Sequence, residues 1–187
     1  AVMVDEWPRS SDEPIGDIID VLGVPGENNT EMHAILTEYG LPFKFDPSVE
    51  KEADKIDDRI DQKEIKARKD FRGVTTFTID PADAKDFDDA LSIRKLPEGN
   101  WEVGVHIADV SNYVQRGSAL DKEALERGTS VYLADRVVPM LPERLSNGIC
   151  SLNQGEDRMT LSCLMDIDEN GNVIGHQITE TIIRVDR

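Results

Sequence analysis

The chain has 187 residues, of which 39% are apolar and 32% charged, and its formal net charge is −17. This length suits one ordinary domain or two small ones, and the charge argues against a simple basic nucleic-acid-binding protein. No stretch reaches the roughly 20 apolar residues of a membrane span, so we expect no membrane partner. Two cysteines, Cys150 and Cys163, are too few for a disulfide framework, and we expect a cytoplasmic protein.

The first 45 residues combine short strand patterns with one helix pattern. A strand is predicted over 16–22, and a helix over 31–38 with Asn29 or Thr30 as its N-cap and Gly40 as its stop. The chain opens and closes on apolar, strand-like segments. We therefore expect an internal fragment of a longer protein.

The region from Ser48 to Lys69 has a helical pattern. Val49, Ala53 and Ile56 share one face with Ile60, while the other face is charged. We interpret it as a solvated helix that links two domains, and we assign it no chemistry.

The rest of the chain reads mainly as strands. They are predicted at about 74–79, 88–95, 101–108, 131–134, 159–167 and 173–185. A helix should begin after Ser118 and end at Gly128. Asn170-Gly171 is interpreted as a hairpin turn and not as part of an EF-hand, because the twelfth position of that loop is Gln177 instead of a bidentate Glu.

The most informative feature is a cluster of five aspartates within ten residues, relieved only by Lys85. It comprises Asp80, Asp83, Asp86, Asp88 and Asp89, and apolar residues flank it on both sides. Carboxylates crowded between two strands repel one another unless a cation compensates. Oxygen ligands of this kind suit magnesium, and two such ions about 3.5–4 Å apart can hold the attacking and leaving oxygens of a phosphoryl displacement. A solvated acidic turn explains the composition equally well.

Five ordered motifs resemble the catalytic domain of the ribonuclease II/ribonuclease R exoribonucleases, most closely the ribonuclease R type. They are Thr78-Ile-Asp-Pro-x-Asp-Ala-Lys-Asp-Phe-Asp-Asp-Ala90, His106-Ile-Ala-Asp-Val-Ser-x-Tyr-Val114, Arg127-Gly-Thr-Ser-Val-Tyr132, Val138-Pro-Met-Leu-Pro-Glu143 and Leu145-Ser-Asn-Gly-x-Cys-Ser-Leu-Asn153. Residues 1–45 resemble, less specifically, the end of the cold-shock domain that precedes this catalytic domain.

The resemblance implies an α+β fold in three parts. Residues 1–45 would be the C-terminal part of a cold-shock (OB-fold) β-barrel, 46–73 a charged helical linker, and 74–187 the N-terminal part of a mixed α+β RNB catalytic domain.

The resemblance also implies an activity, namely processive 3′→5′ hydrolysis of RNA to nucleoside 5′-monophosphates with Mg²⁺, or with Mn²⁺ as an alternative. The family's metal-binding and catalytic aspartates fall on Asp80, Asp86, Asp88 and Asp89, and Asp83 is left as a turn residue. The aromatic residue that stacks on a base near the RNA 3′ end falls on Tyr132, where stacking is worth ~1–3 kcal/mol per base.

Several of the family's functional residues have no counterpart in this chain. These are the catalytic arginine, a second stacking aromatic and the S1 RNA-binding domain. Arg136, Arg144 and Arg158 are candidates for phosphate contacts, but we expect the isolated chain to be inactive and to self-associate through cut sheet edges. The competing hypothesis is a non-catalytic RNA-binding homologue, which is disfavoured because such homologues usually lose an acidic ligand.

Overall fold

A computed structural model describes residues 1–186. The chain divides into two structural units, the first comprising residues 1–45 with 131–138 and the second 46–130 with 139–187. In the described part of the chain, every helix is too short or too polar to cross a membrane.

The first unit contains two hairpins and one helix. Strand β1 (Val2–Glu6) pairs antiparallel with β2 (Ile15–Ile18), and helix α1 covers Asn28–Glu38. The predicted helix is confirmed, but Glu27 occupies its N-cap position instead of Asn29 or Thr30. Within residues 1–186, these strands do not close into a barrel.

The pattern over 48–69 predicted one helix. The charged region 46–73 instead forms two short helices and a strand. Helix α2 (Pro47–Asp54) is capped by Asp46, and α3 (Gln62–Ala67) is capped separately by Asp61. Each cap aspartate accepts a backbone N–H of the helix that follows it, so the chain restarts its hydrogen-bond pattern at the second one. Strand β3 (Lys69–Asp70) then joins the main sheet, so this region is an integral part of the second unit.

The second unit is built on a six-stranded sheet in the order β3-β10-β9-β6-β5-β4. Its strands after β3 are β4 (Thr76–Phe77), β5 (Asp89–Lys95), β6 (Trp101–Ala108), β9 (Asp157–Ile167) and β10 (Val173–Arg184). All neighbours are antiparallel except β3 and β10. The predicted hairpin at Asn170-Gly171 is confirmed as the β9–β10 connection, where Gly171 has φ +83°.

The other elements are short. Helix α4 covers Val110–Tyr113 and α5 covers Ala119–Arg127; strands β7 (Val131–Tyr132) and β8 (Val137–Val138) form the second hairpin of the first unit, and Arg144–Ile149 forms a π-helical segment. The prediction for α5 is confirmed, because the Ser118 hydroxyl accepts the Asp121 N–H at 3.1 Å and Gly128 ends the helix at φ +75°.

The two faces of the sheet differ in an unexpected way. The covered face carries His106, Ser162 and Thr181, each at most 1% exposed, and a cluster of apolar side chains that includes Phe71, Leu152 and Leu164. The opposite face carries apolar rows that stay partly open. One row runs across four strands as Leu91, Val105, Cys163 and Ile178. Its last member, Ile178, is 68% exposed.

Candidate active site

The aspartate cluster lies on the connection between β4 and β5. Residues 78–88 have no regular secondary structure, and Asp89 is the first residue of β5. Asp83 lies in a turn at 81–84 that is closed by a hydrogen bond from the Ala84 N–H to the Pro81 carbonyl oxygen at 3.0 Å. We call residues 78–89 the aspartate loop.

The second half of the aspartate loop is fixed by backbone hydrogen bonds to two other parts of the unit. The Asp88 carbonyl oxygen accepts the Ala108 N–H at 2.9 Å, and the Phe87 carbonyl oxygen accepts the Leu152 N–H at 2.9 Å. The Phe87 side chain packs against the apolar cluster. The loop is therefore tied to the end of β6 and to the turn after the π-helical segment.

Four of the five aspartates are electrostatically coupled. The pKa of the Asp88 carboxyl is raised, first by partial desolvation and then by the negative charges of Asp86, Asp89 and Asp80. Asp83 is not among these causes. The four residues that the motif singles out thus form one local field of negative charge.

The donor chemistry of these residues fits a hard divalent cation, because carboxylate oxygens are the ligands that Mg²⁺ and Mn²⁺ prefer. Across residues 1–186, however, no three His, Cys, Asp or Glu side chains converge closely enough to hold an ion as they stand. The loop places Asp80, Asp86, Asp88 and Asp89 close enough for their charges to interact, but their side chains do not form a closed coordination shell.

Tyr132 belongs to the first unit, whereas the aspartates belong to the second. It lies on β7 opposite Val137, and its side chain is 63% exposed.

The three candidate arginines all make contacts within the chain. Arg136 pairs with Asp135 at 2.8 Å, and Arg144 donates to the carbonyl oxygens of Ala53 and Ile56 at the end of α2. Arg158 donates to the carbonyl oxygens of Ser151 and Gly148 and pairs with Glu156. The last two arginines thus tie backbone segments together.

Sequence reasoning gave no role to two residues of the second unit that make long-range contacts. Ser151 places its hydroxyl against the aspartate loop, at 3.0 Å from the Phe87 nitrogen. Asp109, one residue after β6, forms a buried ion pair with Arg68. Both lie within recognised motifs, but nothing in their local sequence reveals a contact with residues more than 40 positions away.

The fold and the loop define a class: a cold-shock-type unit joined to an α+β domain that presents four clustered aspartates. A family model described as "RNB domain" matches residues 68–187, and one described as "Cold shock domain" matches residues 1–46. The chain belongs to the RNB domain family.

Known relatives agree with this assignment. Ribonuclease R of Thermotoga maritima is 47% identical over 181 residues, which cover 96% of this chain and 26% of the relative. The structure of Mycoplasma genitalium RNase R in complex with double-stranded RNA matches with a TM-score of 0.87 and 32% identity, over 98% of this chain and 33% of that one. Yeast Ssd1, described as a pseudonuclease, is 23% identical with a TM-score of 0.74 and shares the fold. The chain spans about a quarter of the length of its curated relatives.

Proposed function

We propose that this chain is part of a magnesium-dependent exoribonuclease that degrades RNA from its 3′ end, processively, to nucleoside 5′-monophosphates. One observation carries the proposal. All four aspartates of the family motif are present, and they form one coupled negative field on a loop inside the region that matches the RNB domain. The similarity to ribonuclease R supports the same activity.

In this proposal Asp80, Asp86, Asp88 and Asp89 hold Mg²⁺, or Mn²⁺ in its place. The bound cation would supply charge stabilisation for an in-line displacement at phosphorus, in which a water oxygen bonds to the phosphorus and the bond to the 3′ oxygen breaks. By holding that cation, the four carboxylates would fix the position of the scissile phosphate relative to the sheet. The exposed ring of Tyr132 would stack on a base near the 3′ end of a single strand, for which ~1–3 kcal/mol per base is typical.

The isolated chain should be inactive or nearly so, because the catalytic arginine and the second aromatic of the family have no counterpart in it. A cytoplasmic location is part of the same proposal. Cys150 and Cys163 are both free thiols, as is usual in reducing compartments.

The direct test is RNA degradation by a longer protein that contains this chain. With 3′-accessible single-stranded RNA and Mg²⁺, we expect nucleoside 5′-monophosphates, and Asp88→Asn should reduce kcat by roughly 10²–10³-fold, the order seen when one group that stabilises developing charge is removed. Asp83→Asn is the matched control and should retain activity. Full activity of Asp88→Asn would refute the catalytic assignment.

The second candidate is a non-catalytic RNA-binding homologue of the same fold. The likeness to a pseudonuclease supports only the fold, whereas the intact set of four aspartates favours an enzyme. Retained RNA binding without any monophosphate release, in the same longer protein with Mg²⁺ or Mn²⁺, would favour this alternative.

A further inference from the structure

Ser151 makes hydrogen bonds on both sides of Asp86. Its hydroxyl accepts the Phe87 N–H at 3.0 Å and donates toward the Lys85 carbonyl oxygen at 2.9 Å. The residue is completely buried, at 0% exposure. We propose that Ser151 is a positioning residue, which fixes the backbone that carries Asp86 and Asp88. This inference rests on the proposed function of those aspartates.

One hydroxyl is sufficient for this task. It has one hydrogen to donate and two lone pairs to accept, so it can satisfy the amide after Asp86 and the carbonyl before it at the same time. The Asn153 Oδ1 atom lies at 3.1 Å as a second acceptor for the same hydrogen. Because the two bonded backbone groups flank Asp86, the hydroxyl restrains the peptide units on either side of that residue.

Ser151 is itself held in place from the sheet. Arg158, on β9, donates from Nε to the Ser151 carbonyl oxygen at 2.6 Å and from Nη2 to the Gly148 carbonyl oxygen at 3.2 Å. The Ser151 N–H also donates to the Gly148 carbonyl oxygen at 3.0 Å. Arg158 and Ser151 thus connect the aspartate loop to β9, a central strand of the sheet, by hydrogen bonds.

Removal of the hydroxyl should leave the fold intact but loosen the loop. The hydrogen bond from the Leu152 N–H to the Phe87 carbonyl oxygen does not involve the hydroxyl, and Phe87 and Leu152 pack in the same apolar cluster. What is lost is the restraint beside Asp86. Metal sites and phosphoryl-transfer sites are sensitive to displacements of well under 1 Å, and a misplacement of about 1 Å can cost ~100-fold in rate.

Hydrogen exchange on the 187-residue chain tests the contact without any catalysis. In the wild type, the Phe87 amide should be protected to a degree comparable with the Ala90 amide of β5. In Ser151→Ala, Phe87 exchange should accelerate at least tenfold while Ala90 exchange stays within a few-fold of wild type. Unprotected Phe87 in the wild type, or unchanged exchange in the variant, would overturn the contact.

Ser162→Ala is the matched control. Ser162 is also a buried serine, 1% exposed, but its hydroxyl contacts His106 and Thr181 on the sheet. In the 187-residue chain, Ser151→Ala should raise the Mn²⁺ concentration at half-maximal thermal stabilisation at least fivefold, whereas Ser162→Ala should lower the metal-free Tm without moving that midpoint. Equal midpoint shifts in the two variants would reduce Ser151 to an ordinary structural residue.

Kinetics in a longer, active protein complete the test. Ser151→Ala should lower kcat ten- to a hundredfold with the KM for RNA within twofold, because the aspartates are displaced while the rest of the RNA contacts remain. A wild-type kcat would overturn the positioning role. An inactive wild type would instead refute the proposed function, and the exchange and Mn²⁺ measurements would still decide whether Ser151 orders the loop.

Discussion

Arg68 and Asp109 form a buried ion pair that joins the end of α3 to the end of β6. The Arg68 Nη2 atom lies 2.6 Å from the Asp109 Oδ2 atom, and the two side chains are 2% and 11% exposed. Arg68 also contacts Glu64 and the Thr160 carbonyl oxygen. This ion pair helps to fix the charged region 46–73 to the six-stranded sheet.

Asp109→Ala should lower the free energy of unfolding by about 3–5 kcal/mol, because it leaves the Arg68 guanidinium buried without its main partner. Chemical denaturation of the 187-residue chain measures this. The control is Asp57→Ala, which breaks an exposed ion pair with Arg59. The Arg59 side chain is 86% exposed and the Asp57 side chain 59%. That change should lower the free energy of unfolding far less than Asp109→Ala does, because water and salt screen an exposed pair. Equal losses would mean that the buried pair contributes little.

His106 should make the chain sensitive to mild acid. Burial lowers the pKa of His106 from 6.5 to about 4, and its two ring nitrogens contact the Ser162 and Ser92 hydroxyls at 2.6 and 2.8 Å. The folded state therefore favours the neutral ring. The stability that His106 contributes is complete above pH 6.5 and is lost as the pH falls toward 4. The free energy of unfolding should fall by about 3 kcal/mol over this pH range.

Urea unfolding at several values between pH 7.5 and 4.5 checks this dependence. His106→Asn should flatten the slope over that range, although it lowers stability at neutral pH. His176→Asn, at an exposed position of β10, should retain the wild-type slope. A wild-type slope in His106→Asn would contradict the assignment.

Gly104 allows this polar network to form. A Cβ atom at this position would lie 2.6 Å from the His106 Nε2 atom and also too close to the Ser92 hydroxyl. Gly104→Ala should therefore destabilise the chain by about 1–3 kcal/mol, as overpacking of a core does. Gly73→Ala, where nothing lies within 4 Å of the new methyl group, is the comparison in the same Tm measurement. A smaller Tm loss for Gly104→Ala than for Gly73→Ala would contradict this account.

Divalent cations should stabilise the chain through the aspartate loop. At an Mn²⁺ or Mg²⁺ concentration 100 times the dissociation constant, the gain is about 2.7 kcal/mol, which corresponds to a Tm increase of roughly 5–10 °C for a chain of this size. Asp88→Asn should abolish most of this increase and Asp83→Asn should retain it. An unchanged wild-type Tm at millimolar metal would show that the loop does not bind these ions in the isolated chain.

Self-association should follow from the open parts of the sheet. Within residues 1–186, strand β3 pairs with residues 181 and 182 of β10, and no strand covers the earlier part of the same β10 edge. The adjacent apolar face of the sheet is partly open. Ile178→Lys should shift the chain toward monomer in sedimentation velocity at micromolar concentrations. Leu125→Lys, on α5 and 75% exposed, should leave the distribution unchanged. A purely monomeric wild type would refute this expectation.

Local sequence was sufficient for much of the second unit. Strands β5 and β6, the β9–β10 hairpin and helix α5 were predicted because their alternation, turn residues and caps act between neighbours in the chain. The same holds for the aspartate cluster, whose five members lie within ten residues. The exceptions are instructive: the 48–69 pattern predicted one helix, yet Asp46 and Asp61 cap two separate ones.

The tertiary structure decided what surrounds the aspartates and which face of the sheet is covered. Ser151 meets the aspartate loop across more than 60 positions, and Arg68 meets Asp109 across 41. Alternation predicted strands but not that the face with His106 and Ser162 would be covered while the row ending in Ile178 stays open. Periodicity records only local spacing, whereas a hydrogen bond between distant segments depends on the sheet order that brings them together.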